Sequence, residues 1–114
     1  MTLRLKEPSP QGLNTIQSDF DKYQNSAFVE RPAHFFSLEL CGECGELANL
    51  EKKIWRDPSK NIAHEMLADE AADVFIALMN YCNARHIKLE EAVANKLKRI
   101  EDKRLNGLMG KVKE

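Results

Sequence analysis

Two acidic pairs carry the residue types and spacing best suited to chemistry: Glu43 with Glu46 in GECGEL, and Glu70 with Asp73 in DEAADV. Residues three apart on a helix lie about 60° apart on one face. Residues 47–69 separate the pairs, room for one helix end, a loop and one helix start. An antiparallel hairpin would then set four carboxylates face to face. Repulsion and desolvation raise the pKa values of such a cluster unless a cation balances it. An all-oxygen donor set favours Mg²⁺, with Mn²⁺ as substitute, over zinc. Surface acids on amphipathic helices are the plain alternative for either pair alone. It weakens for the two together, because Asp73 precedes the apolar run Val74–Leu78 and Glu43 and Glu46 are flanked by Cys41, Cys44 and Leu47. Glu39, one turn before Glu43, is positioned to join the cluster. Glu65 and Asp69 are expected to face water or pair with lysines.

Cys41 and Cys44 offer a competing chemistry through their C-x-x-C spacing. Zinc would need two more ligands, and the sequence has no second C-x-x-C and no H-x-x-x-H. A redox pair belongs at an exposed helix N-terminus, where the thiolate is stabilised, and Cys41 is expected about two turns into a helix. Cys41, Cys44 and Leu47 recur every third residue and are expected to pack towards the core. Gly42 and Gly45 each cost roughly 1 kcal/mol relative to Ala inside a helix. With Ala48 they form a small-residue strip that suits either close helix approach or a ligand against the backbone. A di-iron carboxylate bundle is excluded, because His34, His64 and His86 lack the E-x-x-H context.

Four helices must position these groups. The first is expected from about Leu13 to Tyr23, broken by NSAFVERP. The second runs from Pro32 to about Trp55 and stops at Asp57-Pro58. The third, capped by Ser59 or Asn61, spans about Ile62 to Arg85 and is apolar nearly all round from Ala71 to Met79, so it should be buried on more than one side. The fourth starts near Leu89 with Glu90 and Glu91 and carries Lys98, Arg99, Lys103 and Arg104 towards its end, an order that suits the helix dipole. Asn106-Gly107 stops it. The fold class is therefore all-α: an antiparallel helical hairpin with flanking helices, completing a four-helix bundle by homodimerisation. The domain is expected at 12–106, between a lead-in at 1–11 and a tail at 107–114.

The whole-chain numbers agree with one such domain. The chain has 114 residues, 43% hydrophobic and 31% charged, with net charge −1. That charge gives no broad basic field for a nucleic acid polymer. No run approaches the ~18 apolar residues of a membrane span, and the first residues lack the apolar core of a secretory signal. Three cysteines fit reduced thiols in the cytoplasm better than a disulfide framework.

GECGELANL, DEAADVFIAL and NKLKRIEDKR, in this order and spacing, resemble the E-x-x-E, E-x-x-D and Lys/Arg-bearing segments of the MazG-like all-α nucleoside triphosphate pyrophosphatases. The resemblance spans roughly Leu13 to Arg104. Pro32, His34-Phe35 and Ile54-Trp55 are more similar to the dCTP pyrophosphatase branch. It implies that Glu43, Glu46, Glu70 and Asp73 hold Mg²⁺ and that Lys96 contacts phosphate. Gly42 stands where many relatives have Glu. Ile100 stands where some carry Arg, so that Arg99 or Arg104 would supply that charge. The implied reaction converts a (d)NTP and water to (d)NMP and pyrophosphate, clearing the nucleotide pool, with a lean to dCTP. The implied assembly is a dimer, often paired into a tetramer, with the pocket shared between subunits.

Beside that resemblance, Lys96 lies between Val93, Leu97 and Ile100, at the expected edge of the buried face. Trp55, the one tryptophan, suits packing or stacking on a base. Phe35 and His34 are further candidates for the base pocket, and Asn80 for substrate hydrogen bonding or for closing a buried polar gap. Either Glu43 or Glu46 could take the proton of the attacking water. The alternative is a non-enzymatic helical interaction module whose acidic face binds a basic partner or a structural cation such as Ca²⁺.

Overall fold

A computed structural model describes residues 12–107, and the expected lead-in at 1–11 and the tail from residue 108 lie outside them. The described residues form four helices: α1 (Leu13–Ala27), α2 (Ala33–Arg56), α3 (His64–Ala84) and α4 (Leu89–Leu105). No strand occurs among them.

Helix α1 runs one turn past its expected end at Tyr23. Its polar residues there satisfy themselves along the helix: Asn25 Nδ2 donates to Asp21 Oδ1 and the Ser26 hydroxyl to the Tyr23 carbonyl. Helix α2 starts directly after Pro32 and ends before Asp57, the residue restricted by Pro58. Helix α3 begins later than expected, with Ala63 at its N-cap position. Neither Ser59 nor Asn61 caps it. Ser59 instead folds back, its backbone N–H and its hydroxyl both donating to Asp57 Oδ1. That is the local turn Asp favours over continuing a helix.

The short connection 57–63 returns α3 along α2, and these two helices make the main packing contact. Their antiparallel course is visible in what meets what. Phe36 and Asn80 share a cleft at one end, and Glu46 reaches Glu70 nearer the other. Met79, Cys82 and Leu89 form the buried cluster at the α1–α3–α4 corner, with Leu13, Phe20, Leu78 and Tyr81 packed around it.

Gln17 locks that corner. It is 5% exposed, and its Nε2 donates to Asn83 Oδ1 at 2.9 Å and to the Ile87 carbonyl at 2.7 Å. Its Oε1 accepts the Leu89 backbone N–H at 2.9 Å, so a side chain of α1 satisfies an otherwise orphaned donor at the start of α4. Between α3 and α4, Ile87 N–H donates to the Cys82 carbonyl and His86 N–H to the Asn83 carbonyl, with His86 at φ +57°. This is a Schellman-type stop whose left-handed position holds histidine where glycine fits best.

Helix α3 packs against both α2 and α1, yet a single chain leaves part of its apolar stretch open. Phe75 is 38% exposed, with Ile76 beside it. Helix α4 packs chiefly against α1, and from Glu90 onward every residue of it is exposed, Leu97 to 60%.

Candidate metal centre

The buried face of α2 follows Phe36, Glu43 and Leu50, each seven residues on and so within about 20° of the last. Glu43 therefore points between α2 and α3, where an apolar residue would ordinarily sit. Glu46 is one turn on, and Glu70 and Asp73 approach from α3. Carboxylate oxygens of Glu43, Glu46 and Glu70 lie within 4.8 Å of one another. Glu43 Oε2 and Glu70 Oε2 are buried and have no hydrogen-bond partner.

Electrostatics follow from this crowding. Desolvation, then the charges of Glu46 and Asp73 and a hydrogen bond with Glu46, hold the Glu43 carboxyl above its usual range, with Glu39 adding a smaller push. Glu70 is raised likewise by desolvation, then by the charge of Glu46 and a hydrogen bond with it, and by Asp73 and Glu43. Asp73, half-buried, thus acts on both as the fourth carboxylate, and Glu39 is near enough to be felt. Two orphaned buried oxygens inside a set of hard anionic donors fit a divalent oxygen-seeking cation such as Mg²⁺ or Mn²⁺. Of the four candidate metal ligands, Glu43, Glu46 and Glu70 are brought together, while Asp73 stands outside that group and reaches Glu43 and Glu70 through its charge.

The remaining candidates divide. Phe35 and Asn80 line one cleft of about 380 Å³ beside the carboxylates, together with Gln24, Arg31 and Glu39. His34 is exposed at the adjacent start of α2. Trp55 is 77% exposed at the far end of the same helix, about 30 Å from Phe35 along its axis. The two rings cannot meet one base within a single chain. Lys96 and Arg99 stand on the exposed length of α4, not at an edge of a buried face.

The cysteine expectation needs correction, since Cys41 and Cys44 are both exposed thiols. A three-residue step rotates about 60° short of a full turn, so the direction swings by about 120° from Cys41 to Leu47. Leu47 comes inward while Cys41 is left out. The glycine strip also stands open, because a Cβ at Gly42 or Gly45 would meet nothing within 4 Å.

Gln17, Gln24 and Arg31 were missing from the sequence candidates. The signal for the two amides was present. Leu13, Gln17, Phe20 and Gln24 follow the spacing of one helix face, placing amides on an apolar stripe. Compared with known proteins, the chain matches no family model, no curated protein and no solved structure at a significant level.

Proposed function

We propose that the chain is a Mg²⁺-dependent nucleoside triphosphate pyrophosphohydrolase, cleaving a (d)NTP to (d)NMP and pyrophosphate, with deoxynucleotides such as dCTP as substrates. The observation that carries it is the set of carboxylates converging from α2 and α3, with buried unpartnered oxygens on Glu43 and Glu70. Glu43, Glu46, Glu70 and Asp73 would hold Mg²⁺. Bound there, the cation supplies charge neutralisation at the α-phosphate and at the triphosphate as a whole.

The chain's own groups have separate tasks. Glu43, among the converging carboxylates, would take the proton of the attacking water. Glu46 shares that assignment. Phe35 and Asn80 orient the base, with His34 at the cleft's edge. Lys96 and Arg99 grip the distal phosphates. Because α4 leaves the hairpin and leans on α1, they do so from a second copy of the chain. A homodimer would at the same time cover the apolar residues exposed on α3 and α4, and would bring Trp55 within reach of a partner's base cleft. Clearing the nucleotide pool is a cytoplasmic task. No described helix is long and apolar enough to cross a membrane.

The deciding experiment measures pyrophosphate release from a panel of normal and modified (d)NTPs with Mg²⁺. Release that drops at least a hundredfold (about 3 kcal/mol of barrier) in Glu43→Gln and Asp73→Asn supports the site. Substantial activity in both variants removes it. Absence of release across the whole panel removes the reaction.

A further inference from the structure

The cleft beside the carboxylates has its own chemistry. Asn80 is 7% exposed, yet its one hydrogen bond among the described residues is a long one, Nδ2 to Gln24 Oε1 at 3.4 Å. That bond leaves the pair one spare acceptor, Asn80 Oδ1, and one spare donor, Gln24 Nε2. Both amides border two adjoining lobes of about 360 and 380 Å³. Arg31 borders both lobes as well, its guanidinium 4.8 Å from the centroid of the Phe35 ring. Phe36 stands edge-on to Phe35 at 5.6 Å.

A planar cation on an aromatic face, next to a spare donor and acceptor, fits a flat heteroaromatic ring that carries complementary groups on its edge. The acids decide against a phosphate as occupant. Asp21, Glu30 and Glu39 line the lobes, and Arg31 is in no ion pair with any of them. An anion would meet three carboxylates there, whereas a neutral ring meets none of that repulsion.

Position links the cleft to the metal ligands. Phe36 lies seven residues before Glu43 on α2, and Asn80 seven after Asp73 on α3. Both separations are two turns on one face, about 10 Å along the hairpin. Glu39 fills the interval, lining the cleft while its charge is felt at Glu43. One sugar and the start of a phosphate chain bridge such a span.

We propose that this cleft is the nucleobase seat, with the Gln24–Asn80 amide pair reading the base's hydrogen-bonding edge and Arg31, held on Phe35, stacking on its face. The assignment rests on the nucleotide reading above and adds Gln24 and Arg31 as specificity-determining residues.

Its test separates base from phosphate. Deoxycytidine, thymidine, deoxyadenosine and inorganic pyrophosphate are each titrated into the full metal-free chain while the side-chain amide NMR signals of Gln24 and Asn80 are followed. At least one nucleoside is expected to shift both signals saturably, and pyrophosphate to leave them unmoved. Arg31→Ala, at an exposed position, weakens that binding roughly tenfold. Gln24→Met and Asn80→Leu level the affinities of the three nucleosides. Asn80 is buried, so circular dichroism checks its fold, and the half-buried Gln24 decides if that variant fails. Pyrophosphate moving the amides while nucleosides do not overturns the proposal, as does unchanged nucleoside binding in Arg31→Ala and Gln24→Met. Pyrophosphate release, measured separately, isolates the two failures. Hydrolysis with unaltered base preference in every variant removes the base seat alone. Nucleoside binding without hydrolysis keeps the seat and removes the reaction.

Discussion

At the scale of single residues, the carboxylates of Glu43 and Glu70 are held in a state that disfavours their charge. Each has a raised folded-state pKa, so the folded chain binds these protons more tightly than the unfolded chain. The pair therefore costs stability above its raised pKa values, and stability returns as pH falls through them, above 4.5. Glu101 runs the other way: its hydrogen bond to Arg104 lowers its pKa and contributes stability that acid removes. The contrast between wild type and Glu43→Gln isolates the cluster, since Glu101 is common to both. Without divalent cation at neutral pH, Glu43→Gln is expected to have the higher Tm, and the difference to close as pH is lowered through the raised range. Mg²⁺ should reverse the order by binding the wild type. At a hundredfold excess over Kd, the wild-type Tm rises by roughly 10 °C. Scanning calorimetry with and without Mg²⁺ reads both effects, and an unresponsive wild-type Tm would sink the metal centre.

At the scale of elements, the acid pairs are only as well placed as the hairpin that carries them. Its open end is tied by Gln17, whose side chain joins α1, the α3–α4 connection and α4. Gln17→Ala strands the Leu89 N–H, Asn83 Oδ1 and the Ile87 carbonyl. It is expected to cost about 3 kcal/mol in chemical denaturation, because buried groups left unpaired carry their full desolvation penalty. His86 acts oppositely. Its left-handed backbone at φ +57° disfavours any residue with a Cβ, so His86→Gly should stabilise by up to about 1 kcal/mol. A loss of stability there would mean that the imidazole makes a contact worth more than the strain. The boundaries of α2 and α4 were legible in the sequence to within a residue or two, because Pro32, Asp57-Pro58, the acidic start and Asn106-Gly107 are local signals. The cap of α3 was not. Ser59 had two local partners open to it, and the Asp57 turn took it before it could cap a helix.

At the scale of the whole molecule, a single copy leaves Phe75 and Ile76 on α3 and Val93, Leu97 and Ile100 on α4 exposed. The proposed homodimer would cover them and bring Lys96 to the phosphates held at the partner's site. Two inactive variants then complement each other. Mixed after joint unfolding and refolding, Glu43→Gln and Lys96→Ala should regain up to about a quarter of wild-type activity, since half the dimers are mixed and each holds one intact site. Activity no higher than the two variants alone would place Lys96 in its own chain's site or outside catalysis.

Local periodicity determined four helices, the all-α class and the facing acidic pairs, because helix-forming and helix-breaking residues act over a few positions. It also put Glu43 and Glu46 ahead of the cysteines beside them. Only the tertiary structure decided which polar groups lose water and to whom they then turn. Gln17 and Asn80 became buried because helices distant in sequence closed over them. Cys41 and Cys44 stayed in solvent because a three-residue step drifts off the buried face. Arg31 came to rest on Phe35 beside a cleft built from three separate segments. Desolvation and pairing depend on neighbours far along the chain, and no spacing within one helix encodes them.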